Sequence, residues 1–107
     1  MARILAVAPD LMFASRIEAT LGAAGHAVEL TSGVGEASLD GVDLLVVDLD
    51  REPAAAVVGR GAPVLGFYAH LNTETRAGAE AAGVDLVVPR SRMAREMPEL
   101  VERLLAT

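Results

Sequence analysis

Val42-Asp43-Leu44-Leu45-Val46-Val47-Asp48-Leu49-Asp50 is the stretch on which the reading of the whole chain turns. Leu44 to Val47 is an unbroken apolar run that includes two β-branched residues. That is the composition of a strand buried on both faces, and hence of a central strand in a parallel sheet. The run ends abruptly in acid. In open α/β sheets, ligands and chemistry gather beyond the carboxyl ends of the strands, so Asp48 stands where a functional carboxylate belongs. Asp also commonly turns a strand into a loop, so the neighbours must decide.

Upstream, Arg3 to Val7 reads as a short apolar strand, broken at Ala8-Pro9 because proline disfavours helix at the residue before it. Asp10 occupies an N-cap position ahead of an amphipathic helix with Phe13, Ile17, Leu21 and Ala24 on one face, and Gly25 stops that helix. Ala27 to Leu30 is a second strand. The loop after it, Thr31 to Gly35, leaves room for only a turn or two of helix before Gly41. Downstream, Arg51 to Gly59 has a proline near its start and a glycine at its end and reads as one short helix.

Pro63 to Phe67 is a fourth strand that opens out at Tyr68-Ala69-His70. Asn72 is placed to cap a helix over Thr73 to Ala82, with Ala77, Gly78 and Ala81 expected on its inner face and Gly83 ending it. Asp85 to Val88 is the fifth strand, and Pro89-Arg90-Ser91-Arg92 is a loop into the last helix. There Met97, Leu100, Val101, Leu104 and Leu105 form the apolar stripe, with Glu96, Glu99, Glu102 and Arg103 on the wet side. Pro98 belongs in the first turn of that helix, since deeper placement costs about 3 kcal/mol. The pattern predicts a single α/β domain over residues 1–107, a doubly wound five-stranded parallel sheet of order 2-1-3-4-5 with helices on both faces.

Bulk properties narrow the function. The chain has 107 residues, 52% of them apolar but only three aromatic, so its core must be closely packed Ala, Val and Leu. Cysteine is absent, which excludes disulfides and thiolate metal sites. All nine basic residues are arginine, so chemistry that needs a lysine ammonium is excluded. A net charge of −6 repels phosphate backbones and argues against nucleic-acid binding. Neither a signal peptide nor a membrane span is visible, and the expectation is a cytoplasmic protein without membrane contact. Gly33-Val34-Gly35 lacks the spacing and the lysine of a phosphate loop, and no cofactor is expected.

Taken together, these segments resemble a response-regulator receiver domain along essentially the whole chain. Asp43 to Asp48 resembles the phosphoacceptor strand, with Asp48 at the phosphorylated position. Arg3 to Val7 resembles the first strand, Pro63 to Ala69 the fourth, and Ala82 to Val88 the fifth. The resemblance implies a signalling module rather than an enzyme. It also implies a partner or homodimer contact on the face made by the family's fourth helix, fifth strand and fifth helix, where Tyr68, His70, Arg90, Arg92 and Arg95 would fall.

The site itself departs from the family. The paired acids that hold magnesium after the first strand are matched by Ala8 and Pro9, the small hydroxyl residue after the fourth strand by Tyr68, and the lysine by Arg90. The phenol ring of Tyr68 is expected to fill the space a phosphoryl group needs. Phosphoryl transfer to a carboxylate relies on a metal and a cation to neutralise several negative oxygens. Magnesium demands near-octahedral oxygen ligation, which Asp48 alone supplies poorly, so no metal is assigned. Asp10 and Asp50 are the possible rescue ligands, against the commoner fates of a helix cap and a solvated loop acid.

The reading is therefore a receiver-type interaction module without conventional magnesium-dependent aspartyl phosphorylation. Its alternative is a working phosphoacceptor that uses Asp48 with Asp10, Asp50 and Arg90 in a phosphorelay. Behind both stands a small ligand-binding or enzymatic flavodoxin-like domain, for which the chain offers no nucleophile–base pair. Arg90, Arg92 and Arg95 crowd the start of the last helix, where the dipole disfavours cations. They are either paired with nearby carboxylates or exposed to an acidic partner.

Overall fold

A computed structural model describes residues 1–35, 39–69 and 73–106. Five strands, β1 (Arg3–Val7), β2 (Ala27–Thr31), β3 (Leu44–Asp48), β4 (Val64–Tyr68) and β5 (Leu86–Pro89), form one sheet of order β2-β1-β3-β4-β5. Every pairing is parallel. All five residues of β3 are buried, as a central strand requires, whereas the edge strand β2 is largely exposed.

Side-chain alternation along the strands builds two cores. Ile4, Ala6, Leu44, Val46, Leu65 and Phe67 face helices α1 (Leu11–Ala23) and α3 (Arg90–Leu105). Leu5, Val7, Leu45, Val47, Val64 and Tyr68 face the other way, toward Val34, Val57 and Ala79 of helix α2 (Thr73–Ala82). That second face is thinly covered. Between β2 and β3 no helix occurs among the described residues, and between β3 and β4 there is only a single 3-10 turn at Ala54–Ala56. Val34, 2% exposed, serves as the apolar plug in the first of these connections. Its N–H donates to Glu52 Oε1 at 3.4 Å, and Arg60 donates to the Gly35 carbonyl at 3.3 Å, so the two shortened connections are tied to each other.

Several local expectations need correction. In α1 the inward residues are Phe13, Ala14, Ile17 and Leu21, while Ala24 lies at the C-cap and is exposed. Gly25 at φ 96° ends the helix as expected. Among the α2 side chains that are described, Ala79 is the buried one, and Ala77, Gly78 and Ala81 face solvent. Tyr68 is the last residue of β4 rather than the start of a loop. Residues 90–92 are helical, because Pro89 is the N-cap of α3 and β5 runs into the helix without a loop. The helix is interrupted at Glu96 (φ −119°, ψ 18°), and Pro98 falls in the first turn after that interruption, where its missing N–H costs nothing. Asn72 and His70 lie outside the described residues.

Gly66 is a close-approach position in β4. A Cβ built there would stand 2.6 Å from Leu49 Cδ1 and 2.9 Å from Cγ, so the absence of a side chain in mid-strand is what admits Leu49 to the second core.

Candidate functional site

Asp48 ends β3 at the carboxyl edge of the sheet and is 5% exposed, the one charged residue that is buried among the described residues. Its register partner is Phe67 of β4, and the Leu49 N–H donates to the Phe67 carbonyl at 2.8 Å. One carboxylate oxygen, Oδ1, accepts from the Asp50 N–H at 3.0 Å. Burial pushes the Asp48 carboxyl above the ordinary carboxylate range. The Asp50 hydrogen bond opposes this, the Asp50 charge adds to it, and the charges of Arg90 and Arg51 partly offset it.

The other acids at this edge are committed elsewhere. Asp10 Oδ1 accepts from the N–H groups of Met12 (3.0 Å) and Phe13 (3.2 Å), capping α1. Its Oδ2 accepts from Arg90 at 2.7 Å. That guanidinium bond, followed by the Phe13 N–H, holds the Asp10 carboxyl below its usual range. Asp50 Oδ2 accepts from the Ala69 N–H at 2.7 Å, strapping the end of β3 to the end of β4. Asp50 is thus more than a solvated loop acid. Among the described residues no three His, Asp or Glu side chains converge as metal ligands.

The remaining positions sort as follows. Ala8 is buried and Pro9 half-buried, and neither side chain offers a donor oxygen. The Tyr68 ring is 5% exposed and belongs to the core shared with Val64 and Val87, so it is absorbed by packing instead of filling the crevice. Arg90 also stacks over Phe13, its guanidinium carbon 4.2 Å from the ring centroid, and Phe13 in turn meets Phe67 at 4.9 Å. The ion pair and the ring together offset the unfavourable placement of a cation at a helix start. Arg92 and Arg95 both turn to Glu96, at 3.5 Å and 3.4 Å. The arginine run is therefore largely paired within the chain.

Sequence reasoning missed two of these links. Arg90 and Asp10 are separated by 80 positions, and nothing local announces their pairing. Nothing beside His26 in the sequence marks its contacts, yet its Nε2 lies 2.9 Å from Glu102 Oε1 and its Nδ1 accepts from the Ala2 N–H at 3.2 Å, a latch at the far end of the sheet from Asp48.

Comparison with solved structures places this architecture. The non-phosphorylated HemR receiver domain of Leptospira biflexa superposes with a TM-score of 0.84 at 22% identity, over 100% of this chain and 96% of that one. A CheY-like receiver domain protein of Methanospirillum hungatei gives 0.84 at 19% identity, covering 99% and 94%. The fold is that of response-regulator receiver domains. A protein of Burkholderia thailandensis described as a pilus assembly protein (CpaE) has the same fold, with a TM-score of 0.81 at 22% identity and full coverage of both chains. No family model matches the sequence, and no curated protein is similar to it. No helix among the described residues is long and apolar enough to cross a membrane.

Proposed function

We propose that this receiver-fold chain is a signalling and protein-interaction module, not an enzyme, in which Asp48 is not switched by conventional magnesium-dependent aspartyl phosphorylation. One observation carries the reading: both acids that could complete a cation site beside Asp48 are engaged elsewhere, Asp10 through both oxygens on a helix cap and Arg90, and Asp50 through its Oδ2 on the Ala69 N–H. The donor set does not suit magnesium, which needs several oxygens free to turn toward one ion. A phosphoryl group on Asp48 would add charge to a carboxylate that burial already disfavours as an anion.

The interaction partner fits the side formed by α2, β5 and α3, on which the Arg95 side chain is 68% exposed, against 38% for Arg92 and 32% for Arg90. Such a partner is a protein and not nucleic acid, given the net charge of −6. The setting is the cytoplasm, where two-component signalling operates.

The test is incubation with acetyl phosphate and magnesium, read by intact mass. The expected result is an unchanged mass. Gain of one phosphoryl group, lost in Asp48→Ala, establishes the competing reading of a working phosphoacceptor.

A further inference from the structure

The outer face of α1 carries an unused surface. Four large apolar side chains are exposed among the described residues, and three of them, Leu11 (79%), Met12 (86%) and Leu30 (37%), cluster around the first turn of this helix. Isolated exposed apolar residues need no explanation, but a contiguous group of them does. At 3.6 residues per turn, Ser15 and Ala19 run down the middle of the exposed face. Leu11, Glu18 and Gly22 lie along one flank, and Met12, Arg16 and Ala23 along the other, all of them exposed. The Leu11 flank borders a mostly apolar groove of about 150 Å³ lined by Pro9, Leu11, Ala14 and Leu30 together with Thr31 and Ser32. The Met12 flank looks toward Arg90 and Ala94 of α3.

We propose that two copies of this chain pair in parallel through α1. A twofold axis running along the helices sets each flank against the opposite flank of the second copy. Glu18 then meets Arg16 twice, and Met12 of each copy enters the groove beside Leu11 and Leu30 of the other. Neither Arg16 nor Glu18 has an ion-pair partner among the described residues, so both charges are free to serve. Antiparallel pairing would set each flank against its own copy, arginine on arginine and glutamate on glutamate. The charge pattern therefore selects the parallel arrangement.

The small side chains of Ser15, Ala19 and Gly22 let the helices approach closely. A 13-residue helix buries less than the roughly 800 Å² per partner of a standard interface, so the dimer is weak and its formation depends on concentration. The α2–β5 edge is left open to a signalling partner.

Sedimentation velocity of the whole chain from micromolar to millimolar concentration tests this. The expected result is a reversible monomer–dimer equilibrium, lost in Met12→Glu with no change in thermal melting. Arg16→Glu and Glu18→Arg each weaken association about tenfold, since two ion pairs become repulsive contacts, and the double reversal restores it. A monomer throughout, a dimer indifferent to Met12→Glu, or a double variant as weak as the singles overturns the proposal.

Discussion

Gly66→Ala is the most informative single change in the core, because the added methyl meets a defined obstacle. At 2.6 Å from Leu49 Cδ1 and 2.9 Å from Cγ, the new carbon cannot coexist with the present rotamer of a side chain that is only 8% exposed. Overpacking of this kind costs about 2 kcal/mol. Replacing glycine in a strand returns roughly 0.5 kcal/mol of backbone entropy, leaving a net loss of about 1.5 kcal/mol. At about 2.1 cal/mol/K per residue, unfolding of a 107-residue chain carries an entropy near 0.22 kcal/mol/K, so Tm falls by about 7 °C. Calorimetry of the wild type, Gly66→Ala, Leu49→Ala and the double variant completes the cycle. In the Leu49→Ala background the obstacle is gone, Gly66→Ala becomes neutral or mildly stabilising, and the coupling energy is about 2 kcal/mol. Additive losses in the double variant would refute the steric account, as would a Gly66→Ala protein that melts with the wild type.

Other outcomes follow from the acids and the latch. Asp48→Asn keeps an acceptor for the Asp50 N–H and removes a buried charge. It is expected to be more stable than wild type at neutral pH in urea titrations. Because the folded Asp48 carboxyl titrates above its unfolded value, wild-type stability falls as pH rises through that window, and the two proteins converge in acid. Asp10→Asn behaves oppositely. The folded Asp10 carboxyl is depressed, so its contribution is present above the ordinary carboxylate range, is lost as pH falls through the folded value, and weakens with added salt. His26→Ala leaves the Ala2 N–H and Glu102 without their partner and lowers stability by about 1 kcal/mol, whereas Glu102→Gln, which retains an acceptor, is nearly silent in the same melt.

What could be read from the chain was whatever the apolar pattern encodes. The run from Leu44 to Val47 fixes a buried central strand, the stripe from Met97 to Leu104 fixes the inner face of α3, and Asp10 before an apolar-periodic segment announces a cap. The inner face of α2 was illegible because a helix of Ala, Gly and polar residues has no stripe to read. Residues 90–92 looked like a loop because two arginines flanking a serine mimic solvated coil, when Pro89 was already a helix start. Tyr68 was misplaced for a related reason: an aromatic residue with a polar tip reads equally as crevice or core, and only its neighbours Val64 and Val87 decide. At the site, Ala8 and Pro9 showed at once that two acids were missing. That Asp10 and Asp50 were already occupied depends on Arg90 and on the Ala69 N–H, contacts the fold creates between distant segments.

The uneven cover on the two sides of the sheet has a consequence for how the molecule opens. β3 is buried along its whole length between α1, α3 and the second core, whereas β2 sits at the edge with its loop tied down by Val34, Glu52 and Arg60. Native-state amide exchange should therefore occur in two stages. Deuterium will enter β2 through a local release of that edge, while the β3 amides wait for global unfolding. The outermost strand is then a subunit of lower stability attached to a sturdier four-stranded remainder.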